Sequence, residues 1–472
     1  MMNALDLSSL FIAATGGGHH EVSSSVTLTF AGILGAMIVT LALEEKLHAK
    51  KSVIVGVYAI ICLFAGAALG LLPFGPVVNV FNEKLNLPVY IPAVDWSVIA
   101  IIMGSALFVD ITSKSGLFSW IAIKLTKTSG GDPFLLLIYY GLMTVIFSAV
   151  LNNVTAMIIV GSLTAVSLKK LERSEKLLGF LLIEGLLTNI GGLLTLISSV
   201  PNIIVGTSAG ISFGKFFIVA SPYVVVATAV TLFMGAKLFK IERLKGEDEK
   251  SSAKKQVESF DENDGIESQG FFWFSAAIFL LFIITIATTS ILPVLKDLGM
   301  GFVALAFAGI MLIRVKSSAD KVYAKIDWDL LAFFVTLFVV INVMEHAQVL
   351  ALIGKGLEKV IALGDLWGSA AMLVASAVFS SVTDNIPLAA MLAKILSSLQ
   401  TDPASPMWWS VIFGANLGGN ITPIGSASTL VAVTIIHKYN LPMSFGGFVK
   451  AAVPYALIQI TLAVAYVTVF LV

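Results

Sequence analysis

Eight apolar runs, at 26–43, 52–72, 97–112, 214–238, 271–292, 299–316, 327–345 and 449–471, come close to the length a helix needs to cross a bilayer. A hydrocarbon core about 30 Å thick takes roughly 20 mostly apolar residues per helix. No water-soluble globule of 472 residues buries that many such runs, and the 12% charged content, about half that of ordinary soluble domains, agrees. The lipid bilayer is therefore the first partner of this chain. The 29 basic and 29 acidic residues cancel, so no basic surface exists to hold a nucleic acid. A single cysteine, Cys62, lies inside an apolar run and excludes a disulfide scaffold and a Cys-ligated metal.

Two longer apolar stretches, 176–210 and 405–437, are interrupted by glycines, which brings the expected crossings to ten. Two more segments, 133–168 and 368–398, are each split by a polar tip and predict re-entrant hairpins. Orientation follows from the excess of Lys and Arg in short cytoplasmic loops. Lys46 to Lys51, Lys114 to Lys127, Lys169 to Lys176, Lys237 to Lys255 and Arg314 to Lys325 fall on one side, against Lys84, Lys296, Lys355, Lys359 and Lys394 on the other. This predicts a multi-pass protein of the cell (inner) membrane with external N- and C-termini. Residues 1–25 form an external segment without the basic start of a signal peptide. The mixed-charge stretch 241–270 reads as a plain cytoplasmic tether between two transmembrane halves, 26–240 and 271–472.

The two halves carry the same motifs in the same order. Asp95-Trp96 recurs as Asp327-Trp328, Ser148 to Asn153 as Ser380 to Asn385, and Ser212-Phe-Gly as Ser444-Phe-Gly, all 232 positions on, while Asn189-Ile-Gly-Gly recurs as Asn416-Leu-Gly-Gly at 227. Five crossings and one hairpin per half force the second half to enter the membrane upside down. The expected fold is thus an all-α polytopic membrane protein of two inverted repeats, each with a re-entrant hairpin and a discontinuous helix. Secondary transporters use such broken helices to build a site near the midplane. Irregular backbone is tolerated at that depth only when buried or lining a wet cavity. Gly191, Gly192, Gly418 and Gly419 are expected to supply positive φ or close approach at the breaks, and Pro201, Pro387 and Pro423 to keep the helices from rejoining.

At these motifs the chain, from about 26 to 470, resembles the ion transporter superfamily of ArsB-type arsenite permeases, NhaD-type sodium/proton antiporters, the melanosomal P protein, and citrate and dicarboxylate transporters. Ile421-Thr-Pro-Ile-Gly-Ser-Ala-Ser-Thr-Leu430 is similar to the ITPIGS-x-x-TL segment of ArsB-type permeases, the closest resemblance, and Asn189 to Asn202 resembles the NIGG…GDPPN segment of the P protein. The resemblance implies a homodimeric elevator-type carrier with one site between two hairpins and two discontinuous helices. For ArsB-type permeases it also implies a cytoplasmic ATPase subunit as a partner. The chain departs from the pattern in two places. Relatives often carry Asp-Asn at both hairpin tips, where the first tip here is Asn152-Asn153, and GDPPN becomes Ser198-Ser199-Val200-Pro201-Asn202.

Asp384 is consequently the only acid at any break. Ionisable groups inside membrane spans are costly and default to function. Asp384 and Glu184 are the candidate ion-coupling groups, whereas Asp110, four residues before Lys114, reads as half of an interfacial ion pair. The candidate solute site comprises Asn152, Asn153, Thr155, Ser198, Ser199, Asn202, Asp384, Asn385, Gly425, Ser426, Ser428 and Thr429. Its hydrogen-bonding capacity is almost wholly neutral, which suits arsenite as As(OH)3 and disfavours a dicarboxylate, for which Arg or Lys is expected. Proton-coupled arsenite or antimonite efflux is the first expectation, with H+ or Na+ as coupling ion. A sodium/proton antiporter of the NhaD type and an anion channel or carrier of the P-protein type are the alternatives. No nucleotide fingerprint, catalytic triad order or metal-ligand cluster appears, so no enzyme activity, cofactor or resident metal is expected.

Overall fold

The computed structural model describes residues 22–79, 81–383 and 385–472. Among these, ten helices are long and apolar enough to cross a membrane. The chain opens with α1 (Ser24–Ala42), α2 (Lys51–Ala68) and a small hairpin of β1 (Val77–Val78) and β2 (Lys84–Leu85). There follow α3 (Trp96–Ser113), α4 (Leu117–Thr128), α5 (Pro133–Val150), α6 (Asn153–Lys170), α7 (Leu177–Gly191), α8 (Val200–Ser208) and α9 (Phe213–Leu238). After α10 (Glu247–Glu258) come α11 (Gln269–Thr288) and α12 (Pro293–Arg314), then α13 (Trp328–His346), α14 (Val349–Ile361), α15 (Gly364–Val382), α16 (Asn385–Ser398), α17 (Pro406–Gly418), α18 (Ala427–Lys438) and α19 (Phe445–Tyr466). The succession α3 to α9 recurs as α13 to α19.

Local chemistry fixes many of these ends. Asp132 caps α5 by accepting from the amides of Phe134 and Leu135, with Pro133 in the first turn. Ser212 and Ser444 cap α9 and α19 in the same way. All eight continuous runs appear as helices, and the remaining two long helices, α5 and α15, are the first arms of the expected hairpins. The two interrupted stretches break at 192–199 and 419–426. Neither half of either stretch reaches spanning length, so length alone does not find them.

The chain divides into two compact units, one of residues 22–95 with 332–353 and one of 96–331 with 354–472. In the first, α1 meets α2 through Thr40 and Tyr58, whose hydroxyls are 2.9 Å apart. Leu28, Ile60 and Phe64 are exposed there, as expected of helices that face lipid. The second unit holds every element of the candidate site. Its aromatic core gathers Phe108, Phe118, Phe147, Phe279, Phe282 and Phe307 around the crossing of α3 and α12. That crossing is close because Gly104 has no side chain: a Cβ there would lie 2.6 Å from the Ala304 backbone.

Three expectations change. The loops expected around Lys114 to Lys127 and Lys355 to Lys359 are largely helical, as α4 and α14, too short to span and so invisible to a search by length. The glycines at the breaks work by close approach alone, since none of the four has positive φ. Most clearly, 241–270 is no plain tether. Helix α10 buries Ala253 and Val257, and Phe260 is buried beyond it. Glu262 takes both Lys124 and Lys127 of α4, Asp132 accepts the Leu244 amide, and the Lys170 ammonium lies 4.9 Å from the Phe260 ring centre. The segment adheres through a few apolar anchors and complementary charges, which average composition conceals. It also gathers at one end cations that the sequence assigns to one side. Asp110 pairs with Lys114, as expected, and with Lys325.

Candidate functional site

The second unit builds the site around two asparagines. Asn189 and Asn416 occupy equivalent places near the ends of α7 and α17, one turn before each break, and both are fully buried. Asn189 Oδ1 accepts from Ser426 (3.0 Å), Ser428 (3.1 Å) and the Asn153 amide (3.3 Å). Asn416 Oδ1 accepts from Ser199 (2.8 Å), and its Nδ2 donates to Asn202 (2.9 Å). The serine after each break therefore reaches the asparagine before the other break. This reciprocity joins the discontinuous helix of one half to that of the other.

The breaks are stapled alike. Ser148 on α5 donates to the Thr188 carbonyl, and Ser380 on α15 to the Ala415 carbonyl. Thr195 donates to the Ala149 carbonyl, and Thr422 to the Ser381 carbonyl. Asn202 holds the carbonyls of Gly192 and Thr195, and the Thr429 hydroxyl approaches those of Gly419 and Ser426. Unpaired backbone carbonyls are expensive in a medium without water, so each irregular segment needs such a clasp. Close approach completes the geometry. A Cβ on Gly191 would lie 2.6 Å from the Val145 carbonyl oxygen, and one on Gly418 would strike the Ala377 carbonyl.

The structure thus sorts the expected residues. Asn153, Ser426 and Ser428 meet at Asn189, and Ser199 and Asn202 meet at Asn416. Ser198 and Thr429 act on their own breaks, Ser198 donating to Thr195 O at 2.7 Å. Asn152 caps α6 by accepting from Thr155 N, so this pair shapes the hairpin tip locally. Gly425 packs where a Cβ would lie 3.0 Å from the Ser380 carbonyl, and Asn385 is buried as the first residue of α16. Asp384 lies outside the described residues.

Glu184 lies five residues before Asn189, hence on another face of α7. It is fully buried, Oε1 accepts from Thr164 (2.6 Å), and Oε2 is buried without a hydrogen-bond partner among the described residues. A second buried group, Thr126, Tyr140 and Ser167, is linked at 2.8 and 2.7 Å. At the offsets of the motifs, Tyr140, Thr164, Ser167 and Glu184 correspond to Met372, Leu396, Leu399 and Val411. Thr126 corresponds to Glu358, so four of these five buried polar residues have apolar counterparts.

Sequence reasoning left the two hubs, Asn189 and Asn416, out of the candidate site although it singled out their Asn-x-Gly-Gly motifs. It also missed a chain leading away from one hub. Asn189 Nδ2 donates to Asn420 (2.8 Å), Asn420 to Gln459 (2.8 Å), and Gln459 to Thr231 (2.9 Å). A lone glutamine inside the apolar run 449–471 was the available signal.

The model of the citrate transporter family CitMHS matches residues 38–414, most of the chain. The chain belongs to this family. Among relatives of this CitMHS member, the 46 kDa membrane protein of Mycobacterium leprae is 28% identical over 388 residues, covering 79% of this chain and 86% of the relative. An uncharacterised transporter of Mycobacterium tuberculosis is 27% identical over 380 residues, with the same coverages. The human P protein is 24% identical over 514 residues, covering 91% of this chain and 60% of the P protein. The crystal structure of the Alcanivorax borkumensis YdaH transporter, described as having an unusual topology, aligns with TM-score 0.60 at 14% identity, over 89% of this chain and 98% of that one. That likeness shows the fold, and the family shows a multi-pass membrane transporter.

Proposed function

We propose that this CitMHS member is an ion-coupled secondary transporter whose solute is a small oxygen-rich acid or its anion. The solute is held between the two asparagine clusters and exchanged by elevator-type alternating access in a homodimer of inverted repeats. The reciprocal Ser199–Asn416 and Ser426–Asn189 bonds carry this reading. They set two equivalent groups of neutral donors and acceptors at the ends of broken helices. These groups are already paired, so a solute must replace their bonds in kind, which favours a molecule with several donors and acceptors of its own. Arsenous acid makes that exchange without a charge to compensate, and proton-coupled arsenite or antimonite efflux is the reading we favour. Asp384 and Glu184 are the proposed coupling groups.

A citrate-type carboxylate is the second reading. It is favoured by the family's description and by the helix starts of α6, α8, α16 and α18 beside the breaks. Helix N-termini offer free N–H groups and a partial positive charge to anions, so the lack of Lys or Arg does not exclude a carboxylate. The test is flux in proteoliposomes holding the chain alone, with arsenite, antimonite or citrate under an imposed pH or Na+ gradient. Arsenite flux driven by the pH gradient and lost in Asp384→Asn supports the first reading. Gradient-driven citrate flux moves the conclusion to the second. Solute-insensitive Na+-dependent pH change would establish sodium/proton antiport, current uncoupled from protons a channel, and flux that appears only with an added ATPase subunit would replace gradient coupling.

A further inference from the structure

Along the outer side of α5 and α9 runs an apolar cavity of about 530 Å³, lined by Leu137 and Ile146 of α5 and by Val225 and Leu232 of α9. Phe134 and Phe233 line it and also a second cavity of about 390 Å³ that is lined by Lys237, Lys240 and Arg243. The two form a single groove, apolar along its length and basic at its mouth. Ile146, Val225 and Phe233 are exposed along it, so the groove opens sideways to the bilayer.

Its dimensions match one leaflet. From Phe134 to Ile146 a helix rises about 18 Å, a little more than half of a hydrocarbon core about 30 Å thick. The mouth is arranged for an anion. Lys237 Nζ lies 5.9 Å from the Phe233 ring centre and the Arg243 guanidinium 5.3 Å from that of Phe134, so a cation sits over each aromatic gatepost. Lys176 adds a fourth charge, its Nζ donating to the Lys240 carbonyl (3.2 Å). Glu242, the acid at the mouth, is occupied by Lys245 (3.1 Å). Among the described residues no carboxylate pairs with Lys237, Lys240 or Arg243. Deep in the groove Thr228 is the polar exception, its buried hydroxyl without a partner among the described residues.

We infer that this groove is a binding site for an anionic phospholipid, with an acyl chain between α5 and α9 and the phosphate among Lys237, Lys240 and Arg243. Charge complementarity at the mouth selects an anionic headgroup over a zwitterionic one. The inference is independent of the transported solute.

Native mass spectrometry of the purified full-length chain, titrated with phosphatidylglycerol or phosphatidylcholine, tests it. The wild type retains phosphatidylglycerol preferentially. Each cation contributes about five-fold to that preference, so the exposed-site triple variant Lys237→Gln/Lys240→Gln/Arg243→Gln brings it close to unity. Val225→Trp, which fills the groove and keeps the charges, lowers retention of both lipids. Lys215→Gln, at the opposite end of α9, leaves the preference unchanged. Equal retention of the two lipids by the wild type, an unaltered preference in the triple variant, wild-type retention in Val225→Trp, or an effect of Lys215→Gln as large as that of a mouth cation would each overturn the assignment.

Discussion

The two asparagine clusters are built to one plan and wired differently. Asn416 receives Ser199 and holds Asn202 and the Ile412 carbonyl, and among the described residues it goes no further. Asn189 receives Ser426, Ser428 and Asn153, and then leads through Asn420 and Gln459 to Thr231. At the motif offsets, Asn420, Gln459 and Thr231 correspond to Leu193, Ala227 and Ala463. The features shared by the halves are Ser148 and Ser380, Thr195 and Thr422, which clasp backbone carbonyls at the breaks, and Ser199 and Ser426, which join each break to the asparagine of the other half. The features that differ are Glu184, Asp384, Asn420 and Gln459.

Removing the hubs tests the plan most severely. Asn189→Ala and Asn416→Ala each strand buried partners at about 1–3 kcal/mol per unpaired group. Asn189 strands more, so its variant has the larger loss of thermal stability in detergent. Equal losses would dissolve the distinction between the clusters.

Close approach comes next. Adding a methyl against fixed backbone costs about 1–3 kcal/mol. Gly418→Ala, whose new Cβ meets the Ala377 carbonyl more tightly than that of Gly191→Ala meets Val145, is expected to lower the unfolding midpoint further. The reverse order would show that α5 and α7, not α15 and α17, form the tighter packing.

The asymmetric wire is a matter of coupling. Asn420→Leu and Gln459→Ala, which copy the first half, should each destabilise. Together they should cost less than their sum by about 0.5–3 kcal/mol, because each single change orphans the partner of the other. An additive cycle would mean that the Asn420–Gln459 contact carries no energy. Glu184→Val, also a copy of the other half, should leave solute counterflow intact and abolish its response to an ion gradient. Unchanged gradient response would make Glu184 structural only.

The smallest effect lies at the linker. Hydrogen bonds from Lys124 and Lys127 hold the Glu262 carboxyl down at about 2. A depressed carboxyl contributes stability that is complete above its unfolded value of about 4.3 and lost as pH falls through the folded value. Amide exchange in 247–262 should therefore stay slow from neutral pH to about 4, after correction for the intrinsic rate, and be faster in Glu262→Gln throughout that range. Identical exchange in the variant would show that the apolar anchors alone dock the segment.

Much of this architecture is legible in the sequence. Hydropathy locates the long helices, Asn152-Asn153 marks the turn between α5 and α6, and Gly-Gly with Pro201 and Pro423 locates the breaks. Its limits have physical causes. The docking of 241–270 depends on Ala253, Val257 and Phe260, three anchors within a polar composition. Helices α4 and α14 are amphipathic and short, so a search for spanning lengths passes over them. The pairing of Ser199 with Asn416 and Ser426 with Asn189 joins residues more than 200 positions apart, and only the folded chain reveals which polar groups meet.

We propose that both clusters contact one solute. Counterflow in proteoliposomes without an ion gradient, comparing Ser199→Ala and Ser426→Ala with the wild type for whichever solute the flux panel identifies, puts this to the test. Each variant should raise the KM for that same solute. Wild-type KM and rate in either variant would contradict it.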